Sequence, residues 1–137
     1  MNWEIIASLA TALGVGIAAW QLWASRKIAQ TSFEDSLDQQ YRKIVMQIPV
    51  DALLGRAIPD EERRKVREII YNYLDLCNEQ AYLRNKGRIT DARWNEWKQG
   101  MENNIKKPAF KEVWDEVKGE VPTTFSSLKE LEDHNFL

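Results

Sequence analysis

Residues 3–23 read WEIIASLATALGVGIAAWQLW, and no charge interrupts them between Ile5 and Trp20. As a helix, Ile5 to Trp23 covers roughly 28 Å, close to the hydrocarbon thickness of a bilayer. Trp3, Trp20 and Trp23 sit at the two ends, where indoles favour the headgroup layer, and Arg26 and Lys27 follow directly. Ile5, Ile6, Leu9, Leu13, Val15, Ile17 and Leu22 supply about −2 to −4 kcal/mol toward insertion before polar and glycine costs. A buried helix of a soluble domain is also apolar all round, but tryptophans at both ends and an abrupt basic flank favour a transmembrane helix. Its membrane-interface anchors are Trp3, Trp20, Trp23, Arg26 and Lys27. The stretch before the apolar core, Met-Asn-Trp-Glu, has no basic side chain, and no small-x-small site follows the core. An uncleaved anchor is therefore expected rather than a signal peptide.

Orientation follows from charge. Arg26, Lys27, Arg42 and Lys43 lie after the span, and only Glu4 and the terminal amine precede it. The positive-inside rule places the N-terminus outside and everything after Ala24 in the cytoplasm. On a helical projection Ile6, Leu9, Leu13, Ile17 and Trp20 form a bulky stripe. Ala7, Ala10, Thr11, Gly14 and Ala18 lie roughly 110° around from it. Ala10, Gly14 and Ala18 have the small-xxx-small spacing that lets two membrane helices approach closely, which makes this face the candidate for transmembrane packing.

The chain has 137 residues, enough after the span for one small core. Its 19 basic side chains all follow the span, as do all of its 21 acidic ones except Glu4. That balance offers nucleic acid or an acidic substrate no electrostatic attraction. The single cysteine, Cys77, excludes an intrachain disulfide and suits a reducing compartment.

Beyond the anchor the apolar period is helical throughout. Phe33, Leu37, Tyr41, Ile44, Val45 and Ile48 recur at spacings of three and four up to Pro49. Thr31 or Ser32 caps a fresh helix here, or the membrane helix runs on as a stalk; the sequence leaves both open. Residues 49–59 form a proline-bounded connector with one helical turn at Asp51–Leu54, ended by Gly55. Pro59 and the acidic run Asp60-Glu61-Glu62 open the next helix, and Arg84, Lys86 and Gly87 close it. Within it Val66, Ile69, Ile70, Tyr73, Leu76, Cys77 and Leu83 occupy one broad face, widened by Leu74 and Ala81, with Tyr71 and Tyr82 opposite. Thr90 caps a helix carrying Trp94, Trp97, Met101 and Ile105. Pro108 precedes Phe110, Val113, Trp114 and Val117, which keep the period until Gly119. Thr123 or Thr124 is expected to cap a last helix with Phe125, Leu128 and Leu131. The predicted fold class is all-α: one N-terminal transmembrane helix followed by a small cytoplasmic bundle of four to five helices. The expected organisation is an anchor over 1–25, a stalk and first amphipathic helix over 26–48, and a helical domain over 49–137 that packs with 33–48.

Catalytic constellations do not assemble. One histidine, His134, and one cysteine make neither a conventional zinc site nor a Cys/His nucleophile. The glycines form no phosphate loop, and no G-x-S-x-G elbow occurs. Asn72, Asp75 and Glu79 share a face of the second amphipathic helix, but it projects away from the apolar arc and reads as solvated. No cofactor and no metal is expected. Trp94, Trp97 and Trp114 serve either as partner-binding aromatics, as at interface hot spots, or as core; the core reading is preferred.

The anchor, Tyr71-x-Tyr73-Leu74-Asp75-x-Cys77-Asn78-Glu79, and Gly87-Arg88-Ile89 followed by Trp94-x-x-Trp97 together resemble small bacterial membrane proteins. That family, a domain of unknown function, has one N-terminal span and a helical cytoplasmic domain. The resemblance implies a bacterial origin and adds no catalytic role. The expected function is a non-enzymatic module of the bacterial inner membrane that mediates protein–protein interaction, with the lipid bilayer, another copy or a protein as partner. The alternative is a small membrane effector, toxin-like or a phage-defence component, acting by association of its spans.

Overall fold

The computed structural model describes residues 2–134, which contain six helices and no strand. The chain divides into two compact units, residues 1–35 and 36–137.

Helix α1 runs unbroken from Trp3 to Val45. No glycine or proline falls between Ala18 and Ile48 to interrupt it. The open question at Thr31 is thereby answered: its Oγ1 donates to the Lys27 carbonyl at 3.1 Å within the helix, so it caps nothing. Along its apolar stretch Ile5, Leu9, Leu13, Val15, Ile17, Trp20 and Leu22 stand exposed. An 18-residue window has a mean hydropathy of 1.7, none of it buried. This is the one helix among the described residues long and apolar enough to cross a membrane, and it lies near the N-terminus.

The second unit begins with the last turns of α1, which end four residues before Pro49 because a residue preceding proline is pushed out of the α region. Helix α2 is the expected single turn, Val50–Leu53. Gly55 follows with φ 74°, its amide bonded to the Ala52 carbonyl while Arg56 N reaches Asp51 O at 2.8 Å. That is a Schellman closure, which places a left-handed residue just past the helix end and so favours glycine. Helix α3, Asp60–Asn85, ends identically: Gly87 has φ 71°, with its amide on Arg84 O and the Arg88 amide on Leu83 O. The expected apolar face of α3 is buried along its length, from Val66 to Leu83.

Helix α4 spans Asp91–Ile105, with the Thr90 hydroxyl accepting from Arg93 N as its sequence predicts. Helix α5, Pro108–Glu120, starts with proline at its first position, where no amide hydrogen is needed. Helix α6 covers Ser126–Asp133. Helix α3 packs against α5 and α6, and α5 also receives α2 and α4. Tyr73, Phe110, Trp114 and Leu128 are almost wholly buried at these contacts. Tyr73 meets Phe110 edge-on at 5.3 Å, and Tyr41 of α1 lies 6.2 Å from Tyr73.

One expectation is overturned. Neither Thr123 nor Thr124 caps α6; the cap position is Phe125, in the left-handed region at φ 60° and ψ 33°. The hydrogen-bond acceptor comes instead from α3, where Asn78 Oδ1 receives the Leu128 amide at 3.0 Å. Burial of the Phe125 ring against Tyr71 and Trp114 holds the backbone in this costly conformation.

Candidate interaction surfaces

In the first unit, Ala7, Ala10, Thr11, Gly14 and Ala18 are all exposed along one side of α1. A Cβ added at Gly14 or Gly16 would meet nothing within 4 Å. The two hydroxyls inside the apolar stretch are satisfied within the helix: Ser8 Oγ donates to Glu4 O at 2.8 Å and Thr11 Oγ1 to Ala7 O at 2.9 Å. Neither therefore needs water, the condition for a polar side chain to be cheap in hydrocarbon. On the bulky side, Leu9, Leu13, Gly16, Ile17 and Trp20 outline a shallow apolar groove of about 440 Å³, with Gly16 as its notch. At the basic end, Lys27 Nζ lies 4.8 Å from the centre of the Trp23 ring, a cation–π pairing of two of the predicted interface anchors.

In the second unit the three tryptophans separate. Trp114 is 1% exposed and belongs to the core, its indole N–H donating to Glu132, which also pairs with Lys118 at 2.8 Å. Trp94 and Trp97 are half-buried and pack on the core's edge. Trp97 carries a link that its sequence does not announce. Its Nε1–H donates to Asp38 Oδ1 at 2.7 Å, while Arg93 pairs with the other Asp38 oxygen at 2.8 Å. One carboxylate thus ties the last turns of α1 to two successive turns of α4. Asp38 lies among polar residues of an amphipathic helix, and nothing in its spacing marks it out.

No protein-family model, curated protein or solved structure matches the chain. Its chemistry is therefore read from its own groups. Asn72, Asp75 and Glu79 are exposed, and no cluster of three or more metal-ligating side chains forms among the described residues. Cys77 is buried, and burial pushes its thiol up to about 12, far from a reactive thiolate. Burial also raises the Tyr73 phenol well above its ordinary value. Its hydroxyl accepts from Asn104 Nδ2 at 3.1 Å, and Asn104 Oδ1 accepts in turn from Lys107 at 2.7 Å. These groups form a satisfied structural network. The exposed His134 rests its Nδ1 against the Glu130 carbonyl.

Two features escape the sequence reading. Met46, Val50 and Leu54 leave apolar side chains exposed around α2. Gln80 is buried on the apolar arc of α3. For Gln80 a signal existed, since it stands seven residues from Tyr73, four from Leu76 and three from Cys77, on the same face.

Proposed function

We propose that this chain is a membrane-anchored, non-enzymatic interaction module of the bacterial inner membrane. The apolar stretch of α1 spans the bilayer with its N-terminus outside, and the unit from Ser36 onward is a helical bundle in the cytoplasm. The observation that carries this reading is the apolar window of α1, none of it buried within the chain, with a length matched to a bilayer. The basic flank at Arg26 and Lys27 supports the orientation. Two copies associate through Ala7, Ala10, Thr11, Gly14 and Ala18, a face whose lack of bulk lets backbones approach within van der Waals range. The resemblance to bacterial single-span proteins with a helical cytoplasmic domain supports the same placement.

The test is cross-linking of the intact protein in native membranes. A dimeric adduct that disappears in Gly14→Ile supports self-association through the small-residue face. Only monomer, together with no captured partner, overturns the interaction reading. Growth arrest on overexpression, abolished by Gly14→Ile, favours the membrane-effector reading in its place.

A further inference from the structure

Within the second unit, the last turns of α1 together with α3 and α4 enclose an open cleft of about 240 Å³. Its floor is Tyr73, Cys77, Gln80 and Met101, all buried, and Tyr41 and Trp97 are among its walls. Two observations here have no structural explanation within the chain. Gln80 is 3% exposed, yet its amide makes no hydrogen bond to any described residue. No fully enclosed polar side-chain atom among the described residues lacks a partner, so that amide keeps some exposure, and Gln80 is one of the residues lining the cleft. Gly100 also borders the cleft, inside α4, where glycine weakens a helix relative to alanine. Nothing lies within 4 Å of where its Cβ would stand, so no close approach of protein requires the glycine. Gln80 and Gly100 thus line one cleft, the first with an amide that bonds to no described residue and the second with no side chain.

We propose that this cleft binds a small, neutral, planar heterocycle carrying a hydrogen-bond donor next to an acceptor, the edge shared by nicotinamide and the nucleobases. The volume exceeds the roughly 150 Å³ of an apolar cavity that accepts benzene. The aromatic side chains Tyr41, Tyr73 and Trp97 suit a flat ring. A glutamine amide engages an adjacent donor and acceptor with two parallel hydrogen bonds. The ionic groups at the cleft are two acids, Asp38 and Glu96, and two bases, Arg42 and Arg93, so the lining carries no net charge and favours a neutral ligand over an ion. Because Trp97 and Asp38 form part of the wall, an occupant lies directly against the link between α1 and α4.

The proposal is tested on the full-length protein in lipid nanodiscs, with nitrogen-15 in the glutamine side chains and tryptophan indoles. Nicotinamide, cytosine and adenine are titrated separately, with toluene as an apolar control of ring size. Saturable shifts of the Gln80 amide and Trp97 indole resonances are expected with at least one heterocycle. Gln80→Met, which keeps the length but removes the polar edge, weakens that binding at least tenfold. Gly100→Leu fills the cleft and abolishes binding while leaving the thermal midpoint equal to or above that of the parent. If Gln80→Met does not fold, Gly100→Leu decides alone. Absence of saturable shifts at millimolar heterocycle, shifts that spare Gln80, toluene binding as tightly, or unchanged binding in Gly100→Leu would each overturn the proposal.

Discussion

Asn78 of α3 caps helix α6 from fifty residues away, its Oδ1 receiving the Leu128 amide at 3.0 Å. A helix normally takes this bond from the residue at its own cap position, three before the amide. Here that residue is Phe125, whose side chain has no acceptor and is turned into the core. Replacing Asn78 with alanine is expected to cost about 1 kcal/mol. Hydrogen exchange should locate the loss at the first turn of α6, with Asn78→Asp largely protected. Equal protection of the Leu128 amide in Asn78→Ala would show the cap to be unimportant.

Phe125 makes a second, opposed pair of contributions. Its ring packs edge-on against Tyr71 at 5.4 Å, and deleting such a buried ring costs about 3–5 kcal/mol. Its left-handed backbone, in contrast, is a conformation that glycine adopts freely. Phe125→Gly should therefore be less destabilised than Phe125→Ala by about 1 kcal/mol in urea unfolding, although it removes one more carbon.

Asp38 holds two donors of α4, the Trp97 indole and the Arg93 guanidinium. Asp38→Ala leaves the half-buried Trp97 indole unsatisfied and removes the nearer of the two acids paired with Arg93, and it is expected to cost about 1–3 kcal/mol. Asp38→Asn retains an acceptor for the indole and should fall between the two. The same variants should raise amide exchange at residues 37–45 before it rises in α3, because α1 loses a tie to α4 while the α3 core is untouched.

Alkali should destabilise the folded unit through Cys77. Its thiol has an ordinary value of 9 and is pushed up to about 12 by burial. Between those values the unfolded chain has released a proton that the native chain retains, so stability falls as pH rises. The contribution is fully present below pH 9 and is lost progressively as pH rises toward 12. Burial displaces Tyr73 in the same direction from its ordinary value of 10, and it adds to the loss. The melting temperature should be level from pH 7 to 8.5 and fall above 9, with a shallower fall in Cys77→Ala. Iodoacetamide should label Cys77 only as the protein unfolds.

Insertion of α1 rests on a modest margin. Leu13→Arg at the middle of the apolar window adds about 3 kcal/mol to the cost of insertion, comparable to the whole favourable total of its apolar side chains. Carbonate extraction should leave the parent protein in the membrane pellet and release Leu13→Arg. An identical pellet fraction would place α1 somewhere other than across the bilayer.

Local chemistry was legible wherever one residue type decides it. Pro49 and Pro59 bounded the connector, Gly55 and Gly87 closed α2 and α3 through left-handed positions, and Thr90 capped α4. The apolar face of α3 followed from its period, since burial of a helix stripe is repeated every three or four residues. The long apolar helix near the N-terminus was legible for the same reason: its length and freedom from charge are properties of the stretch itself. Tertiary structure alone decided what depends on residues far apart in the chain. It showed that α1 continues through Thr31 to Val45, and that Asp38 reaches across to Trp97. It showed that Asn78 caps a helix whose own threonines do not, and that Gln80 and Gly100 face one space. Backbone preference and periodicity are written into neighbours along the chain, whereas a hydrogen bond between α3 and α6 exists only once packing has brought them together.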